Sequence, residues 1–311
     1  GECELLFVAA RADDPACTLL ERLLREPGLP ARLLISGAVP RHAGEKCLNL
    51  IHGVQAAADA EVLAFADADA LVRPGWLAAL SATLGREGVA AATVPPICLS
   101  LAPSLPGFLW TLCTGFFGAF TAEEPAVLGW SWAMRRADFE ALEIARAWER
   151  SLSDDLAVTR RLREAGRAPA AWALAAVPVC REDMGWRRLF AKAANVFRYV
   201  RAYAPGLWLL AGAGFIGKLY LWYWFARKGV WAGLFLFAGL EAAAFAAAYV
   251  LLMRRAPQDQ PRPPAFWAAL LGPPAFLMAG APYLASLLSR RVSWSGHVYR
   301  LRGPEDVEVL S

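Results

Sequence analysis

Three apolar stretches in the last third of the chain, Gly206 to Ala226, Val230 to Met253 and Pro264 to Leu288, constrain its folding more than any other feature. Each is long enough to cross a hydrocarbon core, which takes about 20 residues. Up to about Tyr203, by contrast, charged residues recur every few positions and strand-like runs alternate with helix-like ones, the pattern of a water-facing domain. The hydrophobic share of the 311 residues, 57%, is therefore concentrated rather than spread; ordinary soluble domains hold roughly 45–50%. We read a domain over residues 1–186, a basic interfacial helix over 187–205, a transmembrane region over 206–288 and a cytoplasmic-type tail over 289–311.

Only Arg227-Lys228-Gly229 separates the first two stretches, so they are expected to form a tight hairpin. Three complete spans would place the tail opposite the domain. The tail carries Arg290, Arg291, Arg300 and Arg302, however, and basic residues favour the cytoplasmic side. The third stretch, interrupted by Gly272-Pro273-Pro274, is accordingly expected to be re-entrant. Lys218 and Glu241 fall inside spans, where ionisable groups are costly, and are expected to face each other or the headgroup zone. The expected location is a membrane, with several passes and with the water-facing domain in the cytoplasm.

Within that domain the most informative run is Val62-Leu63-Ala64-Phe65-Ala66, which ends abruptly in Asp67-Ala68-Asp69. A short apolar run bounded by turn residues reads as a buried strand. Ligands in open α/β sheets bind beyond the carboxyl ends of the strands, where Asp67 and Asp69 would lie. Two carboxylates so close repel unless a cation sits between them, and magnesium or manganese binds through one or two carboxylates plus phosphates. The pair reads either as a solvated turn or as a clamp for a metal and a nucleotide diphosphate.

The neighbouring elements follow in order. Cys3 to Ala9 is a strand, Asp13-Asp14-Pro15 starts a helix through Leu24, Arg32 to Ser36 is a second strand, and Lys46 to Ala58 a second helix. Strand, helix, strand, helix, strand at this spacing predicts a parallel sheet with right-handed crossovers, which would bring Asp14 to the same edge as Asp67 and Asp69. Trp76 to Leu84 is a helix and Val89 to Val94 a strand ended by Pro95-Pro96. Leu99 to Phe120, apolar and broken by Pro103 and Pro106, reads as an interfacial, acceptor-facing segment or as a core helix. Asp154 and Asp155 open a helix after Ser153: ordinary capping chemistry on one reading, a general base on the other. The six cysteines lack metal or disulfide spacing and read as free thiols. His42, His52 and His297 are given no role. Gly1 falls directly before a strand-like segment, so the sequence is expected to begin within a domain.

The ordered set of Glu4-Leu5-Leu6-Phe7-Val8, Asp13-Asp14-Pro15-Ala16, Ala31 to Ile35, Lys46 with Asn49-Leu50, Asp67-x-Asp69, Gly129 to Arg136, Ser153-Asp154-Asp155-Leu156, Arg160-Arg161-Leu162 and Trp294-Ser295-Gly296 resembles the family 2 type inverting glycosyltransferases, within them the ceramide glucosyltransferase branch. The resemblance implies an α/β GT-A (Rossmann-like) domain holding a nucleotide-sugar, usually a UDP-sugar, with a divalent metal. It implies Asp155 as catalytic base, Asp67 and Asp69 as metal and diphosphate pair, and Asp14, Lys46, Asn49 and Asp154 as donor-binding residues. The family's Gln/Arg-x-x-Arg-Trp motif is met in part by Arg198 and Arg201, which would grip the diphosphate, with Ala202 in place of the tryptophan. The family's first strand and leading membrane helix have no counterpart ahead of Gly1.

Expected partners are thus a nucleotide-sugar donor, a membrane lipid acceptor and the membrane itself, with no nucleic acid. A polyprenyl or polysaccharide acceptor is the alternative within enzymes. A non-catalytic membrane scaffold with a degenerate nucleotide-binding domain is the alternative outside them.

Overall fold

The computed structural model describes residues 3–26, 28, 30–94, 97–100, 104–120, 126–167, 170–173, 179–255 and 263–311. Pro95-Pro96 and Pro103 lie outside them. In chain order the domain comprises β1 (Leu5–Ala9), α1 (Pro15–Leu23), β2 (Ala31–Ile35), α2 (Glu45–Ala56), β3 (Val62–Ala66), β4 (Ala70–Leu71), α3 (Trp76–Leu84), β5 (Ala91–Thr93), β6 (Ile97–Ser100) and α4 (Leu105–Phe120). It continues with β7 (Ser131–Arg135), α5 (Arg136–Ala141), α6 (Ile144–Trp148), α7 (Asp154–Glu164), β8 (Ala171–Trp172) and β9 (Val179–Glu182). Then come α8 (Trp186–Tyr203), α9 (Pro205–Lys228), α10 (Trp231–Arg255), α11 (Ala265–Met278), α12 (Gly280–Leu288) and a tail of β10 (Arg291–Trp294), β11 (His297–Gly303) and β12 (Asp306–Val309).

The main sheet has the order β3-β7-β5-β8, with helices on both faces. Successive strand residues point to opposite faces, and the partition is clean. Leu63, Ala91, Trp132 and Met134 face Cys47 and Val54 of α2, Trp148 of α6 and Val158 and Leu162 of α7. Ala92 and Ala133 face Leu80 and Leu84 of α3. Small residues on the α3 side let that helix sit close; the large ones fill the other layer. Phe65 stacks on Trp132 at 4.2 Å between ring centroids, and Trp148 meets Trp132 edge-on at 6.1 Å, each such pair adding about 0.5–1.5 kcal/mol beyond burial.

The expected run of three parallel strands is corrected. β1 and β2 are parallel, but among the described residues they form a pair of their own, while β3 runs antiparallel to β7. Alternating strands and helices announce which elements exist. Which strand lies beside which depends on β7, a strand buried through Ser131 to Met134 that wedges between β3 and β5. β4, β9 and β6 make a small second sheet, so Asp67-Ala68-Asp69 is the link that steps from one sheet to the next. That link is tight: the Asp67 N–H donates to the Trp130 carbonyl at 3.0 Å and the Ala70 N–H to the Asp67 carbonyl at 3.0 Å.

α4 is neither under the main sheet nor free. Leu109, Trp110, Thr111 and Leu112 are buried, and Leu112 packs with Ile97 of β6, Tyr249, Leu252 and Met253 of α10 and Ala268 of α11. Among the described side chains Cys3, Cys17, Cys47, Cys98 and Cys113 carry free thiols.

α9 and α10 form the expected hairpin, turned at Gly229 with φ +69°, the left-handed conformation glycine supplies at helix ends. Lys218 and Glu241 face each other across it at 2.8 Å. Among the described residues two stretches, Trp231–Arg254 and Ala265–Leu288, are long and apolar enough to cross a membrane, not three. The third stretch breaks elsewhere than expected. Helix α11 runs on through Pro273 and Pro274 and ends at Ala279. Proline's fixed φ suits a helix, and neighbours hold this one: Lys218 Nζ donates to the Pro273 carbonyl at 3.1 Å, and the Phe245 ring occupies the space a side chain at Gly272 would need. Ala275 of α11 packs against Trp110 of α4 and Leu189 of α8.

The tail sheet returns to the domain. Val292, Tyr299, Leu301 and Val307 enclose Leu152 together with Tyr199, Ala202 and Tyr203 of α8.

Candidate active site

Four elements meet at one site. α2 brings Lys46 in its first turn, the β3–β4 link brings Asp67 and Asp69, β7 is preceded by Gly129, and α7 opens with Asp154 and Asp155. The starts of α2 and α7 are tied directly, the Gly44 N–H donating to the Ser151 carbonyl at 2.9 Å. A β-carbon at Gly44 would lie 2.9 Å from the Leu152 carbonyl oxygen, so only glycine lets the two helix starts approach this closely. Both helices therefore present amino termini here, where partial positive charge favours anions.

Lys46 is the centre. Its Nζ lies 2.6 Å from Asp67 Oδ1 and 3.0 Å from Asp154 Oδ1. Burial opposes its charge, but Asp154, Asp67 and Asp155 outweigh burial and hold the ammonium above its usual range. Asp155 Oδ2 accepts the Gly129 N–H at 2.8 Å, and its Oδ1 accepts the Leu156 N–H at 2.7 Å and the Ser153 hydroxyl. Asp155 Oδ2 and Lys46 Nζ each lie within 3.3 Å of where a β-carbon on Gly129 would sit. Glycine there leaves room for both the carboxylate and the ammonium.

Burial shapes the carboxylates. It raises Asp67 to about 6, with Lys46 pulling the other way and Asp154 adding to the rise. Burial, then Asp154, raise Asp155 as well, against Lys46, the Ser153 hydroxyl and the Gly129 N–H. Asp154 is 4% exposed and its Oδ2 has no hydrogen-bond partner; its backbone carbonyl accepts Trp148 Nε1–H at 2.9 Å. The aromatic cluster of the core thereby holds the first turn of α7 from behind.

Of the residues singled out from the sequence, Lys46, Asp67, Asp154 and Asp155 are brought together. Asp69 follows Asp67 and is exposed. Asn49 lies one turn along α2, where its Oδ1 accepts the Ser36 hydroxyl at 2.5 Å. Asp14 does not join: among the described residues no contact links it to the other carboxylates, and its Oδ1 caps α1 by accepting the Ala16 N–H at 2.8 Å. The capping half of the Asp13-Asp14-Pro15 reading thus holds, while the parallel β1-β2-β3 run from which the convergence was inferred does not form.

Arg198 and Arg201 are also turned elsewhere. Arg198 Nε donates to the Ser289 carbonyl at 3.3 Å, and Arg201 Nη1 to the Ser286 carbonyl at 2.6 Å. A helix end leaves four carbonyls without partners, and these guanidinia serve the end of α12. Missed in the sequence were the Gly129 N–H, Gly44, Ser153 and the hydroxyls of Tyr203 and Tyr299. Gly129 stood within a recognised segment and Ser153 beside the paired carboxylates; the tyrosines carried no signal.

Fold and site define a mixed α/β domain with an acidic, lysine-bridged cluster, continued at its carboxyl end by apolar helices. The chain belongs to glycosyl transferase family 21, whose family model matches residues 1–307. No curated protein matches it. Among solved structures it is similar to one described as the crystal structure of a mycobacterial protein, at 14% identity and a TM-score of 0.36, over 64% of this chain and 63% of that one.

Proposed function

We propose that this chain is a glycosyltransferase with a GT-A type catalytic domain, and that it moves one sugar, with inversion, from a nucleotide-sugar of the UDP-sugar kind to the hydroxyl of a ceramide-like membrane lipid. The observation that carries the reading is the Lys46 ammonium bridging Asp67 and Asp154 with Asp155 alongside. Asp155, buried and oriented by three donors, takes the proton of the acceptor hydroxyl. The acceptor oxygen bonds to the anomeric carbon as the bond to the diphosphate oxygen breaks, the electron pair leaving on the diphosphate. Lys46 and the amino termini of α2 and α7 stabilise that growing negative charge.

Asp67 and Asp69 fit a hard divalent cation such as magnesium or manganese. Asp69 is exposed and its charge acts on Asp67, whose Oδ1 is held by Lys46, and two carboxylates suffice when phosphate and water complete the shell. Among the described residues no group of three His, Cys, Asp or Glu side chains is placed to hold a metal ion. When bound, the cation would offset charge on the leaving diphosphate. The expected result is release of UDP from UDP-glucose that stops on chelation and resumes with manganese. Asp69→Asn should raise the manganese requirement by at least the ~10–100-fold that loss of even an outer partner costs. Full turnover in chelator would overturn the metal assignment.

Membrane anchoring is supported by the outer faces of the hairpin, where Ile216 is 71% and Phe235 72% exposed. Lys218 does not prevent α9 from crossing beside α10, because Glu241 neutralises it. The chain departs from the domain after Tyr203 and rejoins it at Ser289, beside Arg198. The number of complete crossings between is therefore even. α9 and α10 supply two. α11 and α12 would then add no complete crossing: α11 rests on α4, and Ser286 of α12 accepts Trp208 Nε1–H at 3.0 Å near the start of α9. In a Cys3→Ser background, cysteines placed at Arg146 and Ser311 should react with an impermeant thiol reagent from one face of sealed vesicles, and one at Lys228 from the other. Labelling of Ser311→Cys together with Lys228→Cys would show an odd number of crossings.

A further inference from the structure

The helices that carry the site are held at their first residues by two tyrosines from outside the sheet. Tyr203, at the end of α8, accepts the N–H groups of Leu152 and Ser153, each at 3.2 Å. These are the last two residues before α7, and Ser153 in turn donates its hydroxyl to Asp155. Tyr299, at the centre of the tail sheet and 0% exposed, accepts the N–H of Glu45 at 3.4 Å, the residue before Lys46. The tail makes further contacts with the same two helices and with the loop just before α7. Ser151 Oγ donates to the Pro304 carbonyl at 3.2 Å, His297 Nε2 lies 3.3 Å from Glu45 Oε2, and Glu305 pairs with Arg161 at 3.3 Å.

The leading N–H groups of a helix have no partner within it. Leaving one buried and unsatisfied is costly, so a phenolic oxygen that accepts them sets where the helix begins. Two such oxygens set the starts of α2 and α7 relative to each other, and with them the separation of Lys46 and Asp155. Leu152, 5% exposed and enclosed by Val292, Tyr299, Leu301 and Val307, anchors the same loop in the tail.

We propose that Tyr203 and Tyr299 are positioning residues for sugar transfer, and that the tail sheet, returned to the domain by the apolar helices, is a working part of the active site. The proposal rests on the reading of Asp155 as the base. It gives the carboxyl-terminal strands a task in the reaction: they hold the base and the cation at a fixed spacing across the site.

The test is made on the full chain in lipid nanodiscs, with UDP-glucose and manganese, measuring UDP release with and without lipid acceptor. Tyr203→Phe keeps the ring and removes the acceptor of two N–H groups. Its kcat should fall about tenfold or more, within the ~10²-fold that a misplacement near 1 Å can cost, while KM for UDP-glucose moves less than about threefold. The acid limb of its pH profile should shift, because the Ser153 to Asp155 hydrogen bond loses its fixed base. Tyr299→Phe should behave likewise through Lys46. Leu301→Ala, a tail-core variant with no hydroxyl in play, controls for simple loss of stability: at a temperature where it is equally folded, its kcat should exceed that of Tyr203→Phe. Unchanged kcat and acid limb in both tyrosine variants, or a loss no greater than that of Leu301→Ala, overturns the proposal. If Asp155→Asn retains turnover, it is the reading of the base that fails instead.

Discussion

Asp155→Asn is expected to lower kcat by about 10²–10⁴, the usual worth of a general base, while nucleotide binding persists. The amide has the shape of the carboxylate and can still accept the Gly129 N–H, which Asp155 Oδ2 now does at 2.8 Å. It cannot take the acceptor's proton. The pH dependence of the native enzyme carries the same signature. Asp155 must be ionised to act, and burial followed by the neighbouring Asp154 raises its pKa. Activity should therefore fall, as pH drops, at a point above the ordinary carboxylate value of about 4. Asp154→Asn removes the like charge and should move that acid limb down. Lys46→Met removes the favourable cation and should move it up. Titration calorimetry with UDP and initial rates across pH check both halves; an Asp155→Asn enzyme that turns over normally removes the base from the mechanism.

The second large effect is expected at Lys46. Lys46→Met preserves much of the stem but leaves Asp154, 4% exposed, and Asp67 without their shared cation. Breaking a buried pair by deleting one partner typically costs about 3–5 kcal/mol, and the lower end applies because the Lys46 side chain is 26% exposed. The sign with pH is fixed by the raised pKa of Lys46. Its contribution is full below the unfolded value near 10.4 and is lost on the alkaline side only as pH rises toward the higher folded value; on the acid side it should weaken as pH falls through about 6, where Asp67 takes up a proton. The double variant Lys46→Met with Asp154→Asn should regain part of the loss, since only Asp67 is then left without the shared cation, and the departure from additivity measures the coupling. Unchanged thermal unfolding of Lys46→Met in detergent would mean that the bridge contributes nothing.

Local rules carried the sequence reading a long way. Trp76–Leu84 is helical over the residues its pattern indicated, Asp14 and Pro15 start α1 as a cap and a first-turn proline should, and the Lys218 and Glu241 pair inside the apolar region face each other. Each of these depends on residues a few positions apart, or on a cost that admits one solution. The errors came where the same local chemistry serves two ends. Two arginines one turn apart suit a diphosphate, yet they suit equally the bare carbonyls at the end of a helix, and α12 supplied those. An aspartate before Pro-Ala at a strand end suits a ligand, yet Asp14 satisfies the helix that follows it. A Pro-Pro step suggests a break, yet a helix packed on three sides continued through it.

By itself the amino-acid order determined that this chain would be an α/β domain followed by apolar helices, and which acidic and basic side chains could act, because periodicity, capping and the cost of burying charge are properties of short stretches. Tertiary structure alone decided which of them meet. The Asp155 carboxylate is oriented by an N–H 26 residues away, and the helix bearing Lys46 is started by a hydroxyl 254 residues away. Contacts over such separations leave no spacing in the sequence, since they are set by how β7 inserts between β3 and β5 and by how the tail folds back onto the site.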